Sequence, residues 1–362
     1  MTLPLRLKAA GEWLTLSQLK DGQLPARLSS QEENAIQFCR GWLNGQEDFG
    51  FETSGSTGKP KSIVFTRAQL EASALLTCQA LHLKPGYSVL VCLDTKFIAG
   101  AMMLVRSMVI GMDMVIETPS VNPLNSISEP VDFVALVPYQ LSTILERTPA
   151  VLNNVKIVIV GGAPMEKALI PHLEVYTSQF YATYGMTETI THVALQKLNG
   201  PDKQDCFQFL PGVHASTDNR GCLVIKASHL GPLPVVTNDL VTILNETTFL
   251  WIGRFDATIN SGGIKVQAGK VEHAAASALR QLEIRRRFFV RGSFHSKLGE
   301  QVTLYVEGYP LNQDQEQDLH QHMTGYLHPY ELPKLILYVP KFVETSTQKV
   351  DRVATQKLAE AC

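Results

Sequence analysis

The sequence predicts an α/β protein: a large N-terminal domain with a parallel sheet and a β-rich subdomain, followed by a small mobile α+β C-terminal domain. Strand and helix patterns alternate between residues 62 and 182, which is typical of a mainly parallel sheet. Short strand patterns separated by turn residues follow from about residue 209. The length of 362 residues favours more than one domain. We therefore expect one domain over residues 1–253 and another over residues 254–362.

The large domain begins with residues 1–50, whose helical spacing predicts surface helices. After a polar loop, residues 62–65 show a strand pattern, and residues 67–83 show a helix pattern that begins at the capping residue Thr66. The alternation continues with strands at 88–93, 113–116, 131–137, 156–160 and 179–182 and helices at 100–110, 139–147 and 165–177. Ligands of such sheets bind at the carboxyl ends of the strands, so the segments after each strand are the candidate site.

The second half of the chain has shorter elements. Strand patterns at 221–225, 235–237, 240–244 and 248–252 predict an antiparallel subdomain. The small domain is expected to contain helices at 269–282 and 312–327, with strands near 287–290, 302–306 and 334–339. A polar tail over residues 344–352 carries one lysine, Lys349, and is expected to be a mobile loop.

The composition excludes several functional classes. Lys plus Arg total 32 and Asp plus Glu total 34, so the net charge of −2 gives no electrostatic reason to bind nucleic acid. The longest apolar run, residues 97–116, is broken by Arg106 and Asp113, which predicts buried core and no integral membrane segment. Six scattered cysteines and the lack of a secretory signal predict reduced thiols in a cytoplasmic protein.

Residues 53–61 have the composition of a phosphate-binding loop. Hydroxyl donors, backbone N–H groups and positive charge are supplied together by Ser54, Ser56, Thr57, Gly58 and Lys59. A Walker A loop is excluded because only two residues separate Gly55 from Gly58, and because Pro60 prevents a helix from beginning on the lysine. A flexible Ser/Gly turn between two strands is the alternative.

Two turns after predicted strands are further candidates. Small residues after the strand at 156–160 would let a flat ring approach the backbone closely; they are Gly161, Gly162 and Ala163. The turn after residue 182 provides an aromatic ring, a glycine, a hydroxyl and a carboxylate, from Tyr184, Gly185, Thr187 and Glu188. Taken singly, each segment is equally well explained as a routine connection. Asp239 is either a turn carboxylate or a ligand for sugar hydroxyls.

The order of the motifs is more specific than any one of them. The phosphate loop is followed by Gly-Gly-Ala-Pro, Tyr-Gly-Met-Thr-Glu-Thr, Asn-Asp-Leu, Gly-Arg-Phe-Asp and a late Lys-x-x-Arg. This order resembles that of the acyl-adenylate-forming superfamily, which contains acyl-CoA synthetases, luciferases and peptide-synthetase adenylation domains. The resemblance covers roughly residues 50–352 and implies an enzyme that uses ATP, Mg²⁺ and coenzyme A.

The resemblance implies a role for each nucleotide-site residue. The loop residues, including Ser54, Ser56, Thr57, Gly58 and Lys59, would hold the ATP phosphates. The adenine would pack between two segments, Gly161, Gly162 and Ala163 on one and Tyr184 and Gly185 on the other. Thr187 would bind phosphate, and Glu188 would hold the magnesium ion. Asp239 and Arg254 would bind the ribose hydroxyls.

The resemblance also implies a reaction in two steps. The acid would first be activated as an acyl-adenylate, with Lys349 contacting its carboxylate and the α-phosphate. Coenzyme A would then take the acyl group. Between the steps, the C-terminal domain would turn about Asp256 and bring Gly262, Gly263 and Lys265 to the site.

The chain departs from the family pattern mainly in its length. Little sequence precedes the phosphate loop, so the usual N-terminal subdomain is expected to be mostly absent. Among the members of the superfamily, this short chain most resembles the short o-succinylbenzoate-CoA ligases of menaquinone biosynthesis. Arg106 lies on a predicted helix where these ligases place a cation near the second carboxylate of the substrate. The alternatives are that Arg106 pairs with an internal Asp or Glu, or reaches the surface.

Other acids and other functions stay open. An aryl or short-chain acyl-CoA synthetase is the nearest alternative, and a carrier-protein-loading adenylation enzyme is more distant. Lys349 and Glu188 argue against a nucleotide-binding regulator without catalysis. The expected partners are a small carboxylic acid, ATP and coenzyme A, with a homodimer left open.

Overall fold

The computed structural model describes residues 5–53, 61–127, 129–165, 167–344 and 350–360. The chain divides into two compact units, which are described in turn. The first unit comprises Met1–Ser216, Val224–Val236 and Ile243–Leu250. The second comprises Thr217–Leu223, Thr237–Thr242 and Trp251–Cys362. The boundary predicted at residues 253 and 254 and the hinge at Asp256 stay predictions.

The first unit contains the predicted alternation of strands and helices. Its helices are α1 (Leu16–Asp21), α2 (Ser30–Leu43), α3 (Arg67–Ala80), α4 (Ile98–Ile110) and α5 (Pro138–Arg147). Strands β1 to β8 are Arg6–Ala9, Glu12–Thr15, Asp48–Thr53, Lys61–Thr66, Ser88–Val91, Asp113–Ile116, Val131–Leu136 and Val155–Val160. Strands β9 to β15 are Gln179–Gly185, His192–Lys197, Phe207–Phe209, His214–Thr217, Cys222–Lys226, Val235–Asn245 and Thr248–Arg254, and β12 to β15 have residues in both units.

The large sheet has a parallel centre. Its strand order is β12-β13-β14-β15-β11-β10-β9-β8-β7-β5-β6-β1-β2. Strands β9, β8, β7, β5, β6 and β1 pair in parallel, whereas β10 pairs antiparallel with both β9 and β11. The central side chains Phe133 and Phe180 are fully buried, as the continuous apolar runs predict. The predicted α/β fold class with a parallel sheet is confirmed.

Three element predictions were wrong, two in the first unit and one, at Asp239, in the second. The start of the chain forms the hairpin β1-β2 and not only helices, because Leu7 and Ala9 alternate with polar residues at the strand period. Residues 167–173 form a 3₁₀ segment in place of the predicted helix, since Pro171 cannot donate the hydrogen bonds of an α-helix. Asp239 lies inside the single strand β14, so it is not a turn carboxylate.

The second unit carries a smaller sheet of order β17-β16-β19-β18, and β20 pairs in parallel with β19. Its strands are β16 (Thr258–Ser261), β17 (Ile264–Gln267), β18 (Phe288–His295), β19 (Gly299–Glu307) and β20 (Leu335–Val339). Its helices are α6 (Ala268–Gln281), α7 (Gln313–Thr324) and α8 (Arg352–Glu360). Helix α8 was not predicted, because its polar beginning has the composition of a loop.

Two further observations on the described ranges concern membrane-spanning helices and cysteines. None of the helices there is long and apolar enough to cross a membrane. The cysteines described are free, and four of them, Cys39, Cys78, Cys92 and Cys222, are buried.

Candidate active site

The predicted phosphate loop joins two paired strands. Ser54, Ser56, Thr57, Gly58 and Lys59 lie outside the described residues, and so does Lys349. On either side of the loop, Thr53 of β3 pairs antiparallel with Lys61 of β4. A strand and not a helix therefore follows the loop, which agrees with the exclusion of a Walker A motif.

Two candidate segments of the first unit lie side by side. Strands β8 and β9 are parallel neighbours whose pairing ends with Val160 opposite Ala182, so residues 161–163 lie at the same edge of the sheet as residues 183–188, which form the end of β9 and the turn after it. A Cβ added to Gly161 would lie 2.0 Å from Thr183 Oγ1, so a larger residue there would force the Thr183 side chain to move. Sequence reasoning assigned this glycine to ring binding, and the structure gives it a packing requirement as well.

Tyr184 is buried in an aromatic cluster. Its ring centroid lies 5.9 Å from that of Phe207 and 5.1 Å from that of Phe249. Gly162 and Ala163 are exposed, and so is Glu188. The adenine-packing role of these residues stays a prediction.

The segment after β9 turns sharply before β10. Thr187–Thr189 form a 3₁₀ turn, and Ile190 follows with φ 65° and ψ −62°. Thr191 N donates to Thr189 O at 2.6 Å, which closes a γ-turn centred on Ile190. A positive φ at a buried β-branched residue is strained by about 1–3 kcal/mol, and such strain is concentrated at functional sites. The turn fixes the direction of Thr191.

Among the described residues, Arg106 is the largest fully buried side chain, with 2% of its surface exposed. Nη2 donates to Thr191 Oγ1 at 2.8 Å, and Nη1 has only a weak contact with Met103 Sδ at 3.6 Å. Nε is buried without a hydrogen-bond partner in the described part of the chain. The alternative that Arg106 reaches the surface was wrong. The alternative of an internal Asp or Glu partner finds no such partner among the hydrogen bonds of the described residues.

The environment of Arg106 is polar but carries no compensating charge among the residues described. Burial lowers the pKa of Arg106 to about 10, so the guanidinium stays charged at neutral pH. Burial raises the pKa of the neighbouring Cys78 thiol to about 11, so the thiol is neutral there. A buried, charged and incompletely bonded guanidinium is chemically suited to binding an anion.

His192 lies on the other side of Thr191. Its Nδ1 is 3.3 Å from Thr191 Oγ1, and its Nε2 is 3.1 Å from Thr77 Oγ1. Burial lowers the pKa of His192 well below its usual value, and the charge of Arg106 lowers it further. His192, Thr191 and Ile190 were missed from the sequence, because neither their residue types nor their spacing indicates a site.

The neutral state of His192 predicts a pH-dependent stability. An imidazole that is neutral when folded but titrates near 6.5 when unfolded contributes stability above pH 6.5 that is lost as the pH falls. Between pH 7.5 and 5.5 the free energy of unfolding should fall by about 1.4 kcal/mol more for wild type than for His192→Asn. Urea unfolding of both proteins at the two pH values measures the difference. Equal pH slopes would show that His192 titrates normally.

The second unit brings together the residues predicted for the ribose. Asp239 is buried and accepts a hydrogen bond from Trp251 Nε1 at 3.1 Å. Arg254 Nη1 lies 4.0 Å from Asp239 Oδ1. Arg254 also donates to both carboxylate oxygens of Asp256, at 2.8 and 2.5 Å, which lowers the pKa of Asp256.

The segment predicted to serve the second step is an exposed hairpin turn. Strands β16 and β17 are joined through Gly262 and Gly263, whose φ values are 60° and 86°. Two positive φ values in a two-residue hairpin favour glycine at both positions. Lys265 follows on β17 and is exposed.

A cavity of about 240 Å³ lies elsewhere in the first unit, beside β1 and β6. Its lining includes Lys8, Glu32, Glu117 and Glu129, and none of the predicted site residues contributes to it. It gives no support to the predicted site.

The described candidate segments lie on the α/β sheet of the first unit and within the second unit. A family model for AMP-binding enzymes matches residues 52–220. The structure of an acyl-CoA synthetase (AMP-forming)/AMP-acid ligase II-like protein from Dyadobacter fermentans is 38% identical, covers 93% of this chain and 97% of its own, and has a TM-score of 0.61. The chain belongs to the AMP-binding enzyme family.

Curated relatives are similar at lower identity. A 2-succinylbenzoate–CoA ligase of Bacillus cereus is 23% identical over 355 residues, which is 87% of this chain and 72% of the relative. Another from the same species is 28% identical over 161 residues, which is only 33% of its own length. The structure of the O-succinylbenzoate coenzyme A synthetase of Bacillus subtilis with ATP and magnesium is 21% identical, with a TM-score of 0.72, and covers 85% of this chain and 69% of its own.

Proposed function

We propose that the protein is an AMP-forming acid–CoA ligase whose substrate is o-succinylbenzoate, an acid with two carboxylates. The observation that carries the proposal is Arg106, a buried charge with an unbonded Nε beside the strained turn at Ile190. A guanidinium in that state fits the second carboxylate of such an acid. The relatives named 2-succinylbenzoate–CoA ligases support the same assignment.

The ATP side of the reaction follows the family. The loop residues and Thr187 would bind the phosphates, and Asp239 with Arg254 would bind the ribose. Within the described ranges no cluster of three or more metal-ligating side chains occurs. Mg²⁺ at a nucleotide typically takes one or two carboxylates together with phosphate oxygens, so the exposed Glu188 fits that ion. Bound there, Mg²⁺ would neutralise phosphate charge.

The chemistry has two displacements. A carboxylate oxygen of the acid attacks the α-phosphorus in line, the bond to the β-phosphate oxygen breaks, and pyrophosphate leaves. Lys349 would stabilise the negative charge that spreads in this transition state. The thiol sulfur of coenzyme A then attacks the acyl carbon and AMP leaves. Rotation about Asp256 would exchange Lys349 for the exposed Gly262-Gly263 turn and Lys265 between the steps.

A panel of acids tests the substrate assignment. Pyrophosphate release would be measured with o-succinylbenzoate, benzoate and a short fatty acid, each with and without coenzyme A. Turnover that depends on coenzyme A and favours o-succinylbenzoate is expected. Preference for benzoate or the fatty acid would establish the aryl or short-chain alternative. Adenylation that never leads to a coenzyme A thioester would favour a carrier-protein-loading enzyme.

Asp239→Asn is expected to raise the KM for ATP about tenfold, because a neutral amide replaces a charge-assisted acceptor of the ribose hydroxyls. The amide oxygen still accepts from Trp251, so folding should be preserved. Glu246→Gln, at an exposed turn position, is the matched control and should leave this KM unchanged. An unchanged KM in Asp239→Asn would remove Asp239 from the nucleotide site.

A cytoplasmic location is part of the proposal and is supported by the free cysteines of the described ranges. A homodimer is likewise a proposal. Light scattering of the purified protein would test it.

A further inference from the structure

We propose that His192 is a positioning residue of the acid site, which holds Thr191 and through it the guanidinium of Arg106 for the second anionic group of the acid. The proposal rests on the proposed function of Arg106. It adds a residue that does not touch the acid but determines how firmly and in which direction Arg106 is held.

The donors and acceptors around His192 can be arranged in only one direction. Arg106 is a donor without acceptor atoms, so Thr191 Oγ1 accepts the 2.8 Å hydrogen bond from Nη2. The hydroxyl proton of Thr191 is then free to be donated to His192 Nδ1, at 3.3 Å. Nδ1 therefore carries no proton, and the neutral imidazole is protonated on Nε2.

The other ring nitrogen continues the chain of hydrogen bonds. Nε2–H donates to Thr77 Oγ1 at 3.1 Å, and the Thr77 hydroxyl donates to Ser73 O at 3.3 Å. Thr77 and Ser73 lie on α3, and both are buried. This series of hydrogen bonds connects Arg106 to a backbone carbonyl of a neighbouring helix. Each group in the series is bonded in one orientation.

The backbone around Ile190 fixes the position of this series of hydrogen bonds. The γ-turn at Ile190 directs Thr191, and Thr189 Oγ1 accepts from Met186 N at 2.9 Å and lies 2.8 Å from Thr191 O, to which it donates. A Cβ on Gly185 would lie 2.4 Å from Thr191 O, so glycine is required where β9 passes this turn. The strained backbone would be hard to retain without a role for Thr191 and His192.

The protonation of His192 also determines the charge at the site. The groups that face Arg106 from α3, from β10 and from the turn before β10 are Cys78, His192 and Thr191, and the low pKa of His192 and the high pKa of Cys78 leave both neutral. Arg106 is then the one cation of the described cluster, and its buried Nε–H has no hydrogen-bond partner among the described residues. A charged imidazole would lose its acceptor and release Thr191.

Two amide substitutions separate positioning from packing. His192→Asn keeps an acceptor near the position of Nδ1, and His192→Gln keeps a donor near the position of Nε2. The kcat/KM for o-succinylbenzoate should change less than about threefold in His192→Asn and fall about tenfold in His192→Gln. The kcat/KM for benzoate and the KM for ATP should be the same in both variants.

Equal losses in the two variants, or losses of the same size for both acids, would show that His192 only packs. The tautomer is a second readout that needs no variant. A long-range ¹H–¹⁵N spectrum of the wild-type protein should show the proton of His192 on Nε2, and a proton on Nδ1 would overturn the proposal.

The outcome for Arg106→Met distinguishes this inference from the proposed function. If Arg106→Met keeps the preference for o-succinylbenzoate over benzoate, the anion site is wrong and the role of His192 is wrong with it. If Arg106→Met loses the preference but His192→Gln retains it, the proposed function stands and only the role of His192 is overturned.

Discussion

Lys349→Ala is expected to slow formation of the acyl-adenylate by about 10²–10³-fold, the effect of removing one charged stabiliser of a developing anion. In the proposed mechanism the second step does not use this lysine, so transfer of the acyl group from a supplied acyl-adenylate to coenzyme A should continue at the wild-type rate. Pyrophosphate release measures the first step, and thioester formation in a single turnover measures the second.

The described residues on either side of 345–349 make defined contacts within the second unit. Glu344 and Val350 form an antiparallel bridge, and Arg287 Nη1 donates to Glu344 Oε1 at 2.5 Å. Past the loop, Arg352 Nη1 donates to Glu272 Oε1 at 2.8 Å. These contacts lie outside the five residues at 345–349 and would persist in Lys349→Ala.

Lys341→Ala is the matched control, because Lys341 is an exposed lysine just before the same loop. It should leave both steps unchanged. Full adenylation activity in Lys349→Ala would mean that another group stabilises the transition state. Equal losses in both steps would indicate a damaged domain and not a missing charge.

The architecture could be predicted from the sequence because its signals are local. Continuous apolar runs such as residues 131–137 and 156–160 are strands in the structure, and helix α3 begins at the predicted cap Thr66. The sequence patterns did not predict the elements whose formation depends on tertiary contacts. The first strand, β1, has only four residues, and its pairing with β6 joins segments that are more than a hundred residues apart.

Only those parts of the candidate site that carry a recognisable sequence motif or an unusual residue could be predicted. The ordered motifs identify the family, and Arg106 is conspicuous because it interrupts an apolar run. The sequence could not show that this arginine lacks a carboxylate partner in the described ranges, because that depends on packing between α3, α4 and β10. His192 has no motif at all, and its role depends on two distances and a strained turn at Ile190.

Arg106→Met is expected to raise the stability of the fold while it removes the preferred substrate. Arginine and methionine are both long and unbranched, and replacing a buried charge with an apolar side chain is often neutral or stabilising, by about 1–4 kcal/mol. The gain should be measurable here because Nε has no partner and Thr191 is the principal polar contact of the guanidinium. Urea unfolding measures the change.

The same substitution should lower kcat/KM for o-succinylbenzoate by about 10²–10³-fold, the usual effect of leaving a buried ionic partner unpaired. Activity with benzoate, which has no second carboxylate, should change little. Arg147→Met, at an exposed position at the end of α5, is the control and should alter neither quantity. A variant that is both less stable and equally poor with the two acids would show that Arg106 is structural. A more stable enzyme that has lost only the dicarboxylate would show that the fold tolerates an unfavourable buried charge because the substrate requires it.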